Sequence, residues 1–174
     1  AFLIKTLQEY QNKQNQIEQE KLSNQNLSNI EKLNSQTHSM FIGNDNSDIQ
    51  IFEFVDYNCG YCLKFHNEVS RVISQESSLK LVIIQMPILS KMSDELSKLA
   101  LASSLQGKFN EVHNYLYSLK RKSSMEDILA DLFIMNIDIT QLKKDIESEA
   151  VQKLRSQHEN IVNDFKFVGT PAII

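Results

Sequence analysis

The chain has 174 residues, 41% of them hydrophobic, and a formal net charge of -4. That is enough for one domain of ordinary size with a buried core, plus an appendage. The acidic balance excludes the basic face of a nucleic-acid binder, and no run approaches the ~20 apolar residues that span a membrane.

Residues 1–38 are polar, without Gly or Pro. Leu3, Leu7 and Tyr10 follow a heptad before the steps after Ile17 break it, a weak coiled-coil pattern. A helix this polar buries little by itself, so it packs on another chain or frays. Asn26-Leu27-Ser28 matches a glycosylation triplet, a match that chance often supplies. The chain begins at Ala1 rather than Met, as it would after removal of a signal peptide. Gly43-Asn44-Asp45-Asn46-Ser47 is a turn cluster and a boundary.

Asp48 to Val55 reads as a strand, Cys62 to about Gln75 as a helix, and Leu79 to Ile84 as a buried strand. This order suggests a parallel βαβ unit. From Ser93 to Asp164 the periodicity is helical throughout, in five segments. Lys120-Arg121-Lys122 reads as a solvated loop between them. Val168-Gly169-Thr170-Pro171 then forms a turn that enters an apolar strand.

The only two cysteines are Cys59 and Cys62, directly after the first strand. Cys-x-x-Cys in that setting is a redox signature. The thiolate is the attacking species, and a free cysteine with pKa of about 8.5 is only slightly ionised at pH 7. At a helix start, the free N–H groups and the positive dipole end favour an anion. Cys59 is therefore the candidate nucleophile and Cys62 the resolving thiol, with Gly60 and Tyr61 between them. Two other readings remain: a pair of core cysteines, or half a zinc site. The zinc site would need two more ligands from His38, His66, His113, His158 or carboxylates.

Glu53 lies on the first strand, six residues before Cys59. It is either a buried acid that moves the proton of the resolving thiol or a partly exposed strand residue. His66, one turn after Cys62, could tune that thiol or simply pack. His158 lies on an apolar stripe and reads as a core histidine. Pro171 at a strand start is a candidate for a cis bond that would turn Thr170 toward a ligand.

The block Phe52-Glu53-Phe54-Val55-Asp56-Tyr57-Asn58-Cys59-Gly60-Tyr61-Cys62 with Phe65-His66 resembles the active site of the DsbA-like thiol:disulfide oxidoreductases of the thioredoxin superfamily. Val168-Gly169-Thr170-Pro171-Ala172 resembles the family's cis-proline loop. The likeness covers roughly residues 40–174. It implies an α/β thioredoxin fold (39–92 and 165–174) with an all-helical insertion (93–164), preceded by a helical oligomerisation stalk (1–38). The family's fold continues beyond its cis-proline strand, so a C-terminal part is expected to be absent from this chain.

The same resemblance implies an exposed attacking Cys59, a buried resolving Cys62, and Glu53 as the buried acid. Thr170 and Pro171, with Gly60 and Tyr61, would form the substrate-binding wall, and His66 would stand behind it. Cys-Gly-Tyr-Cys with Thr before Pro is similar to the pattern of disulfide isomerases and reductases, the DsbC-like and ScsC-like proteins. The N-terminal extension resembles the trimerisation stalk of ScsC-like proteins and of the second DsbA-like protein of Wolbachia-type endosymbionts.

The implied function is disulfide isomerisation by a periplasmic homotrimer. The implied partners are misfolded or reduced secreted proteins and a membrane redox partner, with no nucleic acid. No cofactor or metal is implied beyond the redox-active Cys59–Cys62 disulfide. The alternatives are a monomeric DsbA-like dithiol oxidase and a metal-holding or chaperone module.

Overall fold

The structure is a computed structural model that describes residues 11–21, 28–31, 33, 40–119 and 123–174. The chain divides into two units, residues 1–36 and 37–174. In the first unit, residues 11–21 and 28–31 are helical. The heptad positions Leu3, Leu7 and Tyr10, the Asn26-Leu27 pair, His38 and the run Lys120-Arg121-Lys122 lie outside the described residues.

The second unit holds a four-stranded sheet of β1 (Phe41–Gly43), β2 (Ile49–Val55), β3 (Leu79–Gln85) and β4 (Ala172–Ile173), in the order β1-β3-β2-β4. The expected βαβ unit is its centre. Strands β2 and β3 run parallel, in register from Ile49 opposite Leu79 to Val55 opposite Gln85. Helix α1 (Gly60–Gln75) connects them. Both strands are almost continuously apolar, as strands covered on two faces must be.

Strand β1 was not legible in the sequence. It has three residues, too few for a period, and exists because β3 offers it an antiparallel edge. Gly43 ends it with φ 99°, and a Cβ there would stand 2.4 Å from the Leu79 carbonyl oxygen. Only glycine allows that approach.

Five helices lie between β3 and β4: α2 (Lys91–Leu105), α3 (Phe109–Ser118), α4 (Met125–Ile134), α5 (Ile139–Ile146) and α6 (Glu149–Phe165). Ser90, Ser124, Asp138 and Ser148 cap four of them by accepting a backbone N–H three residues on.

Successive strand residues alternate between faces of the sheet. Glu53 and Val55 of β2 therefore share a face with Ile83 and Gln85 of β3. Val55 and Ile83 join Cys62 and Val69 of α1 in the main core. On the opposite face Phe54 meets Phe165 and Phe167 edge-on, with ring centroids 5.8 and 4.7 Å apart. The sheet thus carries one acid, Glu53, into its apolar interior on the side of α1.

Candidate active site

Helix α1 begins at Gly60, two residues earlier than the apolar spacing suggested, which makes Cys59 its N-cap. The cap conformation is set upstream by Asp56. Its carboxylate accepts the amides of Asn58 at 2.8 Å and of Ile88 and Leu89 at 2.9 Å. Its carbonyl accepts the Cys59 amide at 2.9 Å. The Asn58 side chain donates to Ser93 Oγ at 3.0 Å and to Ser90 Oγ at 3.2 Å. This bracing ties the cysteine turn to the start of α2. Sequence reasoning passed over Asp56 and Asn58, although an Asx residue two before another turn residue is a recognisable signal.

Opposite the cap stands the cis Thr170–Pro171 bond. The Thr170 carbonyl accepts Cys59 Sγ–H at 3.2 Å. This contact corrects the expectation of an exposed Cys59, which is only 8% accessible because the Thr170 loop covers it. Cys62 is 0% accessible, so the expected contrast between the two is one of degree. Cys59 opens on a cleft of about 360 Å³, where Gly60, Leu63, Met92, Leu96 and Leu116 contribute wall. No atom lies within 4 Å of where a Gly60 Cβ would be, so the approach to the sulfur is unobstructed on that side. Tyr61, between the cysteines, is 72% exposed and Val168, two residues before Thr170, is 95% exposed, so both present apolar surface to solvent.

Both cysteines are free thiols. Burial pushes the Cys59 thiol up, but hydrogen bonds from the Thr170 side chain, the Cys62 amide and thiol, and the Tyr61 amide outweigh it. Together they hold Cys59 below its ordinary value. The amides belong to the first turn of α1, where N–H groups have no helical partner. The Thr170 hydroxyl is buried and has no partner while Cys59 is protonated. It is the donor left for the thiolate, which can no longer donate to the carbonyl. Thr170→Val is therefore expected to raise the Cys59 pKa by about one unit, a tenfold loss of thiolate. Absorbance of the thiolate near 240 nm across a pH series checks this.

Cys62 is the opposite case. Burial pushes its thiol up to about 12, and the neighbouring Cys59 contributes in the same direction. Glu53 is 0% exposed, and neither carboxyl oxygen has a hydrogen-bond partner. Burial first, and the charge of Cys59 second, push it up to about 8. A low thiol at the mouth, a high thiol behind it and a poised carboxyl beneath can separate attack from resolution.

His66 is held neutral by its burial, so it does not act on Cys62 as a charge. It is buried, stacked on Tyr117 at 4.6 Å and edge-on to His113 at 5.0 Å, and burial holds it below its ordinary value. His158 lies within the core, as its stripe predicts. Its Nδ1 accepts the Gln85 amide at 2.9 Å. Among the described residues no group of three or more His, Cys, Asp or Glu is arranged to hold a metal ion, and no helix is long and apolar enough to cross a membrane.

A family model described as Thioredoxin matches residues 35–174. A protein of Bacillus cereus described as probable disulfide bond formation protein D is 24% identical over 145 residues, 76% of this chain and 67% of the relative. The thiol-disulfide exchange protein alpha-DsbA2 of Wolbachia pipientis superposes with a TM-score of 0.74 at 27% identity, covering 87% of this chain and 86% of that one. The catalytic domain of Proteus mirabilis ScsC superposes with a TM-score of 0.75 at 21% identity, over 87% and 84% of the two chains, and attests the fold. With its cysteine pair at a helix start facing Thr170–Pro171, the chain belongs to the thioredoxin family as a thiol-disulfide oxidoreductase of the DsbA-like kind.

Proposed function

We propose that this protein is a disulfide isomerase. In this reading Cys59 attacks a wrong disulfide in a substrate protein and forms a mixed disulfide. The substrate's freed thiolate then attacks elsewhere and releases Cys59. Cys62 intervenes only when this fails, by attacking Cys59 Sγ and expelling the substrate in reduced form. The observation that carries the reading is the asymmetry of the two thiols. Cys59 is held low and touches the cleft, whereas Cys62 is buried and pushed up to about 12. A resolving thiol so reluctant to ionise leaves the mixed disulfide time to reshuffle.

Glu53, in its ionised fraction, takes the Cys62 proton when resolution does occur, being a buried carboxyl without a hydrogen-bond partner that the Cys59 charge reaches. Thr170 and Pro171 form one wall for the substrate, with Gly60 and Tyr61 along the other. The apolar rim of Tyr61, Leu63 and Val168 suits an unfolded chain rather than a small thiol. The place of action is the periplasm, the substrates are misfolded or reduced secreted proteins, and a membrane partner sets the redox state. Residues 1–38 assemble the chain as a trimer, which would set several cysteine pairs around one substrate.

A second reading, a monomeric dithiol oxidase, is favoured by the description of the Bacillus relative as a disulfide bond formation protein. Refolding separates the two. The full chain in a glutathione buffer is expected to reactivate a substrate with scrambled disulfides, and light scattering is expected to return three times the 20.1 kDa chain mass. Fast oxidation of a reduced substrate without rescue of the scrambled one would reject the isomerase in favour of the oxidase. A monomer mass would reject the trimer.

A further inference from the structure

Helix α2 stands between two cavities. Met92 and Leu96, one turn apart, wall the cleft at Cys59. Asp94, Ser97 and Leu101, at the same kind of spacing on another face, wall a second cavity of about 260 Å³ against α6. Ile88, from the loop after β3, and Val162, from α6, complete its apolar lining. That volume is several times the ~30 Å³ share of one water, so the cavity admits a side chain.

Ile88 and Leu89 link this cavity to the reacting cysteine. Their amides share one oxygen of the Asp56 carboxylate at 2.9 Å each, and the other oxygen takes the Asn58 amide at 2.8 Å. Three amides on one carboxylate lie within about 8 Å of one another. The Ile88 backbone is thus fixed beside the residue that precedes Cys59. The Asn58 side chain also reaches Ser90, the N-cap of α2, at 3.2 Å. On this pinned loop the side chains of Ile88 and Leu89 remain 49% and 54% exposed. They form an apolar ledge at the start of α2, between the two cavities.

The charges in the second cavity are already engaged or face water. Asp94 is held by Arg155 at 2.5 Å and by Lys98 at 2.6 Å. His158 is kept neutral by burial, which pushes it down to about 4. Glu159 is exposed. What the cavity offers a ligand is therefore apolar wall rather than a buried unpaired charge.

We propose that this cavity is a second substrate subsite, which takes an apolar side chain three or four residues from the cysteine joined to Cys59. The inference rests on the reading that the substrate is a polypeptide, and it holds for an isomerase and for an oxidase. The span from Cys59 past Ile88 is roughly 12 Å, and an extended chain covers about 3.3 Å per residue. In the attack, the Cys59 thiolate forms a bond to one substrate sulfur, the substrate's S–S bond breaks, and the other sulfur leaves as thiolate. The subsite makes no bond of its own. It holds the chain so that the sulfur stays in line with Cys59. Oxidised glutathione has no apolar side chain and gains nothing from it.

The test uses symmetric disulfides of a short Ser/Gly peptide with one cysteine. Reduced full chain is mixed with each, quenched with acid, and the Cys59 adduct is followed by mass. Phenylalanine three or four residues from the cysteine is expected to speed attack about tenfold over serine at the same place, as burial of one large apolar side chain allows. Val162→Lys, which sets a long cationic side chain in the cavity wall, should bring that ratio back to about one. The peptide series is read on the wild-type chain and stands without the variant. Equal rates for phenylalanine and serine would overturn the subsite, as would a gain that Val162→Lys leaves intact. Lysine matching phenylalanine would overturn its apolar character. A phenylalanine gain in a protein that cannot rescue a scrambled substrate would reject the isomerase and keep the subsite. Rescue with all peptides equal would do the reverse.

Discussion

Glu53→Gln is expected to stabilise the fold by about 3 kcal/mol at pH 7 while slowing the resolving step by about a hundredfold. Glu53 ionises near 4.5 in the unfolded chain and near 8 in the fold, because burial disfavours its charge. Below pH 4.5 both states hold the proton, and ionisation does not oppose folding. Between 4.5 and 8 the unfolded chain has released the proton and the fold has not. Stability therefore declines as pH rises, by about 1.4 kcal/mol per unit, which gives the figure at pH 7. Above 8 the loss is complete. Glutamine has no such proton, and no hydrogen bond is broken by its entry because both carboxyl oxygens lack partners. Urea denaturation of the reduced protein at pH 4.5 and pH 7 is expected to show equal stabilities at the lower pH and a gap at the higher. A gap that does not change with pH would contradict the buried, protonated carboxyl. The same variant cannot accept the Cys62 proton, so function is lost where stability is gained.

Cys62→Ala is expected to turn the protein into a trap. Cys59 keeps its donors from Thr170 and the Tyr61 amide, so attack proceeds. The mixed disulfide then lacks its internal resolving thiol. Intramolecular groups act at effective molarities on the order of 10⁵ M or more, against millimolar external thiol. Reduction of a disulfide substrate should therefore fall about a thousandfold or more, and the covalent complex should accumulate. Its intact mass under acid quench is the measurement. Isomerisation needs only attack and release, so a fraction of scrambled-substrate rescue should survive in glutathione buffer. If no complex accumulates, Cys59 is not the attacking thiol. If rescue vanishes along with oxidation, the oxidase reading is favoured.

The parts of the site that were legible in the sequence are those written in adjacent residues. Cys59, Cys62 and the helix start share one short segment, and Thr170-Pro171 is a dipeptide. The helices were legible because each repeats an apolar stripe over ten residues or so. Strand β1 was not, since three residues carry no period and the pairing edge comes from β3. The bracing of the cap by Asp56 joins positions 32 and 33 residues apart, and the bond from Tyr57 to His113 spans 56. No local pattern announces such partners. His66 shows the limit best. Its place one turn after Cys62 allows either a charge acting on the thiol or simple packing, and α3 arrives from elsewhere in the chain, packs on it and leaves it neutral.

By itself the sequence determined that this protein carries two thiols at the start of a helix in a βαβ setting, and hence the class of chemistry it performs. That much follows from local geometry, because helix start and spacing are properties of neighbouring residues. Only the tertiary structure decided what makes the two thiols unequal. Their difference comes from burial and from donors on the Thr170 loop, 111 residues from Cys59, and both exist only once distant segments pack together.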